Sequence, residues 1–91
     1  MNTKTLEDLR KEIDAIDQQI LEILVKRIDI VKQIGELKNI YNMPVIDEKR
    51  REKLLESITQ RAKLFNLSEE FVKKLFKEIH DHAVELQKKV A

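Results

Sequence analysis

Residues 5–41 read TLEDLRKEIDAIDQQILEILVKRIDIVKQIGELKNIY, and this stretch decides the fold. Leu6, Arg10, Ile13, Asp17, Ile20, Leu24, Arg27, Val31, Ile34 and Lys38 follow one another at alternating intervals of four and three. That spacing lines one side of an α-helix. Leu9, Ile16, Ile23, Ile30 and Leu37 run beside them, so the apolar face is broad. Four members of the stripe carry charge: Arg10, Asp17, Arg27 and Lys38. A charge on a face built for burial is expensive unless something pairs with it. Long basic side chains can also lie over apolar surface and reach water with their ends. Asp17 can neutralise only one of the three cations, so an anion held between helices is the other reading.

Thr5 is a good N-cap, and Glu7 and Asp8 place negative charge in the first turn. No breaker follows until about Asn39, which predicts a helix of roughly 35 residues, ~50 Å long. A compact domain of 91 residues has a radius of gyration of only ~12 Å. One end of this helix must therefore project, and its continuing apolar stripe calls for cover by a second chain. Gly35, the single glycine, sits within the helix at ~1 kcal/mol relative to Ala. It either lets a neighbour approach or is neutral.

Asn39–Ile46 (NIYNMPVI) is the first break, since Pro44 disfavours helix at Met43. Asp47 then caps a second helix, DEKRREKLLESITQRAKLF, with Leu54, Leu55, Ile58, Ala62 and Phe65 at helical period. Lys49, Arg50 and Arg51 crowd its start against the preference of the dipole. They are either plain surface charge or an anion site at a helix N-terminus. Asn66 breaks the chain again, Ser68 caps a third helix, and Leu67 can staple onto Val72. That helix runs through Phe71, Val72, Leu75, Phe76, Ile79, Ala83, Val84 and Leu86 to about Lys89. Gln87 falls on its inner face, where its amide needs partners. The expectation is an all-α chain of three helices forming one domain, residues 1–91.

The 18 basic and 17 acidic residues leave a net charge of +1, which argues against nucleic-acid binding driven by bulk charge. There is no cysteine, so disulfides and thiolate metal sites are excluded. His80 and His82 are two apart and face different ways on a helix, so no metal site is expected. No apolar run approaches the ~20 residues of a membrane span, and MNTKTLEDLR is not a signal peptide, so cytoplasm is the expected location.

Arg27 and Lys38 lie on one face, ~16 Å apart along the axis, where long side chains could grip one small dianion between them. Arg10 is ~25 Å from Arg27 and cannot join them on the same straight helix. It could do so from a second copy running antiparallel, which would give a two-fold dimer two shared pockets.

Several segments together resemble the small all-helical chorismate mutases. They are LRKEIDAID (9–17) with Arg10, VKRIDIV (25–31) with Arg27, GELK (35–38), Pro44-Val45 with Asp47 and Arg50, and AVELQ (83–87) with Gln87. The resemblance implies an intertwined homodimer with two active sites, no cofactor, and rearrangement of chorismate to prephenate. It further implies that Arg27 and Arg10 of the partner subunit clamp the two carboxylates. Bidentate guanidinium pairing suits that task. By the same resemblance Lys38 and Gln87 donate to the ether oxygen, Arg50 assists at a carboxylate, and the region of Asp47 meets the ring hydroxyl. There are two departures. The family usually has Glu after the matching arginine, whereas Arg51 follows Arg50 here and Glu52 comes one place later. Ala83 stands where Ser or Asn is common.

Other functions remain open at this point. Isochorismate pyruvate lyase uses the same scaffold, arginines and lysine. A non-catalytic dimerisation or regulatory module, docking on a shikimate-pathway enzyme, is a reading from another class.

Overall fold

The computed structural model describes residues 3–90, and the regular elements among them are three helices: α1 (Leu6–Ile40), α2 (Glu48–Leu64) and α3 (Glu69–Val90). The fold is all-α. Each helix starts where its capping residue predicts. At α1 the Thr5 hydroxyl accepts the Asp8 N–H (3.1 Å), and the Asp8 carboxylate accepts the Thr5 N–H (3.0 Å). These two reciprocal bonds satisfy donors that the first turn leaves without partners. They also hold the exposed Asp8 carboxyl below its usual pKa. Asp47, in extended conformation, accepts the Arg50 N–H at 3.1 Å, and Ser68 accepts the Phe71 N–H at 3.2 Å.

The two helix ends inside the chain share one device. Asn42 (φ 54°) and Asn66 (φ 56°) are left-handed, a conformation Asn tolerates better than other side-chain-bearing residues. Beyond them Met43 N–H reaches the Lys38 carbonyl (2.7 Å), and Leu67 N–H reaches that of Ala62 (2.9 Å). Asn42 and Asn66 close the inner bonds to Asn39 and Lys63 (3.3 and 3.2 Å). This pairing is the Schellman motif, which satisfies the last carbonyls and turns the chain sharply.

Internal contacts group the chain into two units, Met1–Ile30 and Val31–Ala91. In the second unit Ile58, Ala62 and Val72 form a core against which Leu54 and Phe76 pack. Val31, Gly35, Ala83 and Gln87 are buried as well. Gly35 shows why it is glycine. A Cβ there would lie 2.6 Å from Val90 Cγ2 and 3.0 Å from Gln87 Cα, so the missing side chain lets the α3 backbone come close. Phe65, Phe71 and Leu75 keep the helical period in sequence but are exposed in the chain. Phe65 is the C-cap of α2 rather than part of the helix.

The first unit contains residues 6–30 of α1. Leu6, Leu9, Ile13, Ile16, Ile20 and Ile23 are all exposed, Ile13 at 55% and Ile20 at 50%. Leu24, Arg27 and Ile28 are half-buried. No helix among the described residues is long and apolar enough to cross a membrane.

Candidate functional site

Lys38 lies in the last turn of α1, where its own carbonyl accepts the Schellman bond from Met43. Its ammonium group turns inward and donates to the Val45 carbonyl (2.7 Å) and to Oε1 of Gln87 (3.0 Å). The first bond ties the Pro44 segment down onto α1. The second fixes the Gln87 amide, because only the carbonyl end of the amide can accept from a cation. Gln87 is 8% exposed. Its Nε2 protons have no protein partner among the described residues, and two of the three ammonium protons of Lys38 are used. A buried amide and a half-buried ammonium group with donors to spare are arranged to meet an oxygen acceptor.

Around this pair lies a cleft. One wall is the segment Val45–Asp47 and the first turn of α2 with Arg50 and Arg51, and the other is the α3 face of His80, Ala83, Val84 and Gln87. Asp47 is partly committed, since its Oδ1 caps α2. The exposed Arg50 side chain has no hydrogen bond or ion pair among the described residues, whereas Arg51 Nη2 donates to Asp81 Oδ1 at 3.0 Å. Lys38, Arg50 and Arg51 outnumber the single carboxylate of Asp47, so the cleft favours an anion.

Six residues expected at a site from the sequence therefore line one cleft: Lys38, Asp47, Arg50, Arg51, Ala83 and Gln87. Glu52 is exposed and does not line it. This follows from helix geometry, because one residue further along α2 turns the side chain about 100° away. Arg10 and Arg27 belong to the first unit. Arg27 is half-buried without a protein partner among the described residues, and desolvation holds its pKa below the ordinary guanidinium value. Arg10 is exposed and likewise unpaired. Sequence reasoning missed His80 and Val84 as lining residues, although they lie seven and three residues before Gln87 along α3, on the same helical face. It also missed Asp81. Nothing local marks that residue, since its partner lies 30 positions away.

A family model described as chorismate mutase type II matches residues 9–88. A chorismate mutase of Methanocaldococcus jannaschii is 32% identical over 83 residues, spanning 91% of this chain and 84% of that protein. A bifunctional chorismate mutase/prephenate dehydratase of Aquifex aeolicus is 34% identical across 93% of this chain, which corresponds to 24% of that longer protein. A solved structure, a conserved hypothetical protein from Pyrococcus furiosus, superimposes with a TM-score of 0.69. It is 36% identical, and the match covers 94% of this chain and 99% of the other.

Proposed function

The chain belongs to the chorismate mutase type II family, and on that premise we propose how its residues divide the reaction. The activity is that of a chorismate mutase, an isomerase that converts chorismate to prephenate in aromatic amino acid biosynthesis. The step is unimolecular. A carbon–oxygen bond of the enol ether breaks as a carbon–carbon bond forms, with no nucleophile and no proton transfer. Catalysis then consists of holding a flexible dicarboxylate in its compact shape and stabilising charge that grows on the ether oxygen.

The observation that carries this reading is the 3.0 Å bond between Lys38 and Gln87 in the cationic cleft. Both groups keep protons for one shared acceptor, and the ether oxygen is that acceptor. Arg27 and Arg10 of the partner subunit take the two carboxylates, which explains two unpaired guanidinium groups on a largely apolar stripe. Arg50 assists at a carboxylate, Asp47 and Arg51 stand toward the ring hydroxyl, and Ala83 leaves an apolar wall there. The exposed stripe of residues 6–30 is covered by a second copy, giving an intertwined homodimer in the cytoplasm. Docking onto another shikimate-pathway enzyme belongs to the same proposal, in keeping with relatives whose names join mutase and dehydratase.

The purified chain should turn over chorismate and leave isochorismate unchanged. Loss of pyruvate from isochorismate would mark a lyase, and turnover of neither would leave a binding module. Shared sites are tested by complementation. Arg10→Ala and Arg27→Ala chains, each nearly inactive, should recover up to about a quarter of wild-type activity after co-refolding, because half the dimers are mixed and each mixed dimer has one whole site. No recovery, with mixed dimers seen by mass spectrometry, would remove Arg10 from the partner's site.

A further inference from the structure

Arg50 and Arg51 are adjacent in sequence and both line the cleft, but only one is held. Arg50 has no side-chain partner among the described residues. Arg51 is tied across from α2 to α3 by Asp81 at 3.0 Å, and Asp81 also faces Lys77 at 3.6 Å. Asp81 is not itself a lining residue, so it cannot serve the ligand directly. Its effect on the cleft runs through the guanidinium group that it holds. Arginine has five N–H donors in a rigid fork, and Asp81 takes a bond from one nitrogen, leaving the rest of the fork for a ligand.

We propose that Asp81 is a positioning residue, which fixes Arg51 at the cleft wall before substrate arrives so that Arg51 donates to an oxygen of chorismate. The inference rests on the mutase reading above. Its physical content is preorganisation. A long side chain immobilised in advance does not have to be ordered during binding, and such ordering weakens affinity by between about twofold and tenfold. The oxygen that Arg51 contacts is bound similarly in ground state and transition state. Losing the tether therefore acts on binding and spares the chemical step.

The test is a set of four variants, Asp81→Asn, Asp81→Glu, Arg51→Met and the Arg51→Met/Asp81→Asn pair, assayed with chorismate and with prephenate as product inhibitor. Asp81→Asn should raise KM and the inhibition constant of prephenate in parallel, by about threefold, with kcat and Tm close to wild type. Asp81→Glu should recover part of the loss. In the Arg51→Met background, Asp81→Asn should change neither constant further. The partly exposed pair is a weak contributor to stability, so these variants remain folded. An unchanged or lowered KM in Asp81→Asn overturns the proposal, as does the same rise in the Arg51→Met background. Wild-type chain without turnover would overturn the mutase reading and this inference with it, whereas an active wild type with an indifferent Asp81→Asn overturns the inference alone.

Discussion

Residues 6–30 and the helices within residues 31–90 both place apolar side chains at intervals of three and four. They meet water differently. In the second unit Ile58, Ala62, Val72 and Ala83 are buried by their own chain. There Lys38 and Gln87 find each other across 49 positions of sequence. In the first unit Ile13, Ile16, Ile20 and Ile23 stay exposed, and Arg10 and Arg27 have no partner among the described residues. Periodicity tells which face is apolar, and only the surroundings tell what covers it. The second unit closes a core of its own, although Leu64, Phe65 and Phe71 stay exposed there, whereas no residue of 6–30 is buried.

The largest effect should come from Ile13→Asp, which tests that difference directly. On a truly exposed helix face the change would alter stability by no more than about 0.5 kcal/mol. Under a second copy it buries an unpaired charge, which is far more costly. On the proposed dimer, the expected result is dissociation in sedimentation and loss of nearly all activity. A variant that stays dimeric and active would show that this part of α1 faces water.

Gln87→Glu is next and probes the second unit. At 3.0 Å from the Lys38 ammonium, the introduced carboxyl would stay ionised at neutral pH and present no donor. Loss of one such donor is worth ~3–4 kcal/mol, roughly a hundredfold to a thousandfold in kcat. Activity should return in mild acid as the carboxyl gains a proton, while the wild-type profile stays nearly flat. Full activity of the variant at neutral pH would remove Gln87 as the ether-oxygen donor.

Gly35→Ala should matter less. The added methyl group meets Gln87 Cα at 3.0 Å and Val90 Cγ2 at 2.6 Å. Overpacking of this kind is worth about 1–3 kcal/mol, partly offset by ~1 kcal/mol of helix propensity. Tm should fall by a few degrees, and kcat should fall further than stability alone accounts for, because Gln87 moves. A rise in Tm with unchanged kcat would show that α3 yields freely.

The smallest effect belongs to the cap of α1. Hydrogen bonds from Thr5 depress the Asp8 pKa in the folded chain. The stabilisation is complete above the unfolded carboxylate value, near pH 4, and is lost as pH falls through the lower folded value. Asp8→Asn should therefore narrow the difference in Tm between neutral pH and about pH 3. An unchanged pH dependence would show that the bond to Thr5 is not formed in solution.

Much of this was legible in advance. The three helices, the capping roles of Thr5, Asp47 and Ser68, and the inward face of Gln87 all follow from local chemistry. Caps and periodicity act within one or two turns, so neighbouring residues suffice to read them. The family resemblance, carried by Arg10, Arg27, GELK and AVELQ, pointed to the chemistry because those residues keep their order and spacing. The Arg51–Asp81 pair and the lining role of His80 were not legible, and the close approach at Gly35 was only one of two readings the sequence left open. Each depends on how two helices are set side by side, and no interval along the chain encodes that setting.

The sequence by itself determined that the chain is helical, where each helix begins and which face of each is apolar, because those are properties of short-range hydrogen bonding and side-chain spacing. Only the tertiary structure decided which charges meet. It gave Lys38 to Gln87 and Val45, tied Arg51 to Asp81 while leaving Arg50 untethered, and turned Glu52 away from the cleft. The Lys38–Gln87 and Arg51–Asp81 pairings are decided over 3 Å in space between residues 49 and 30 positions apart, and helix-to-helix packing brings them together.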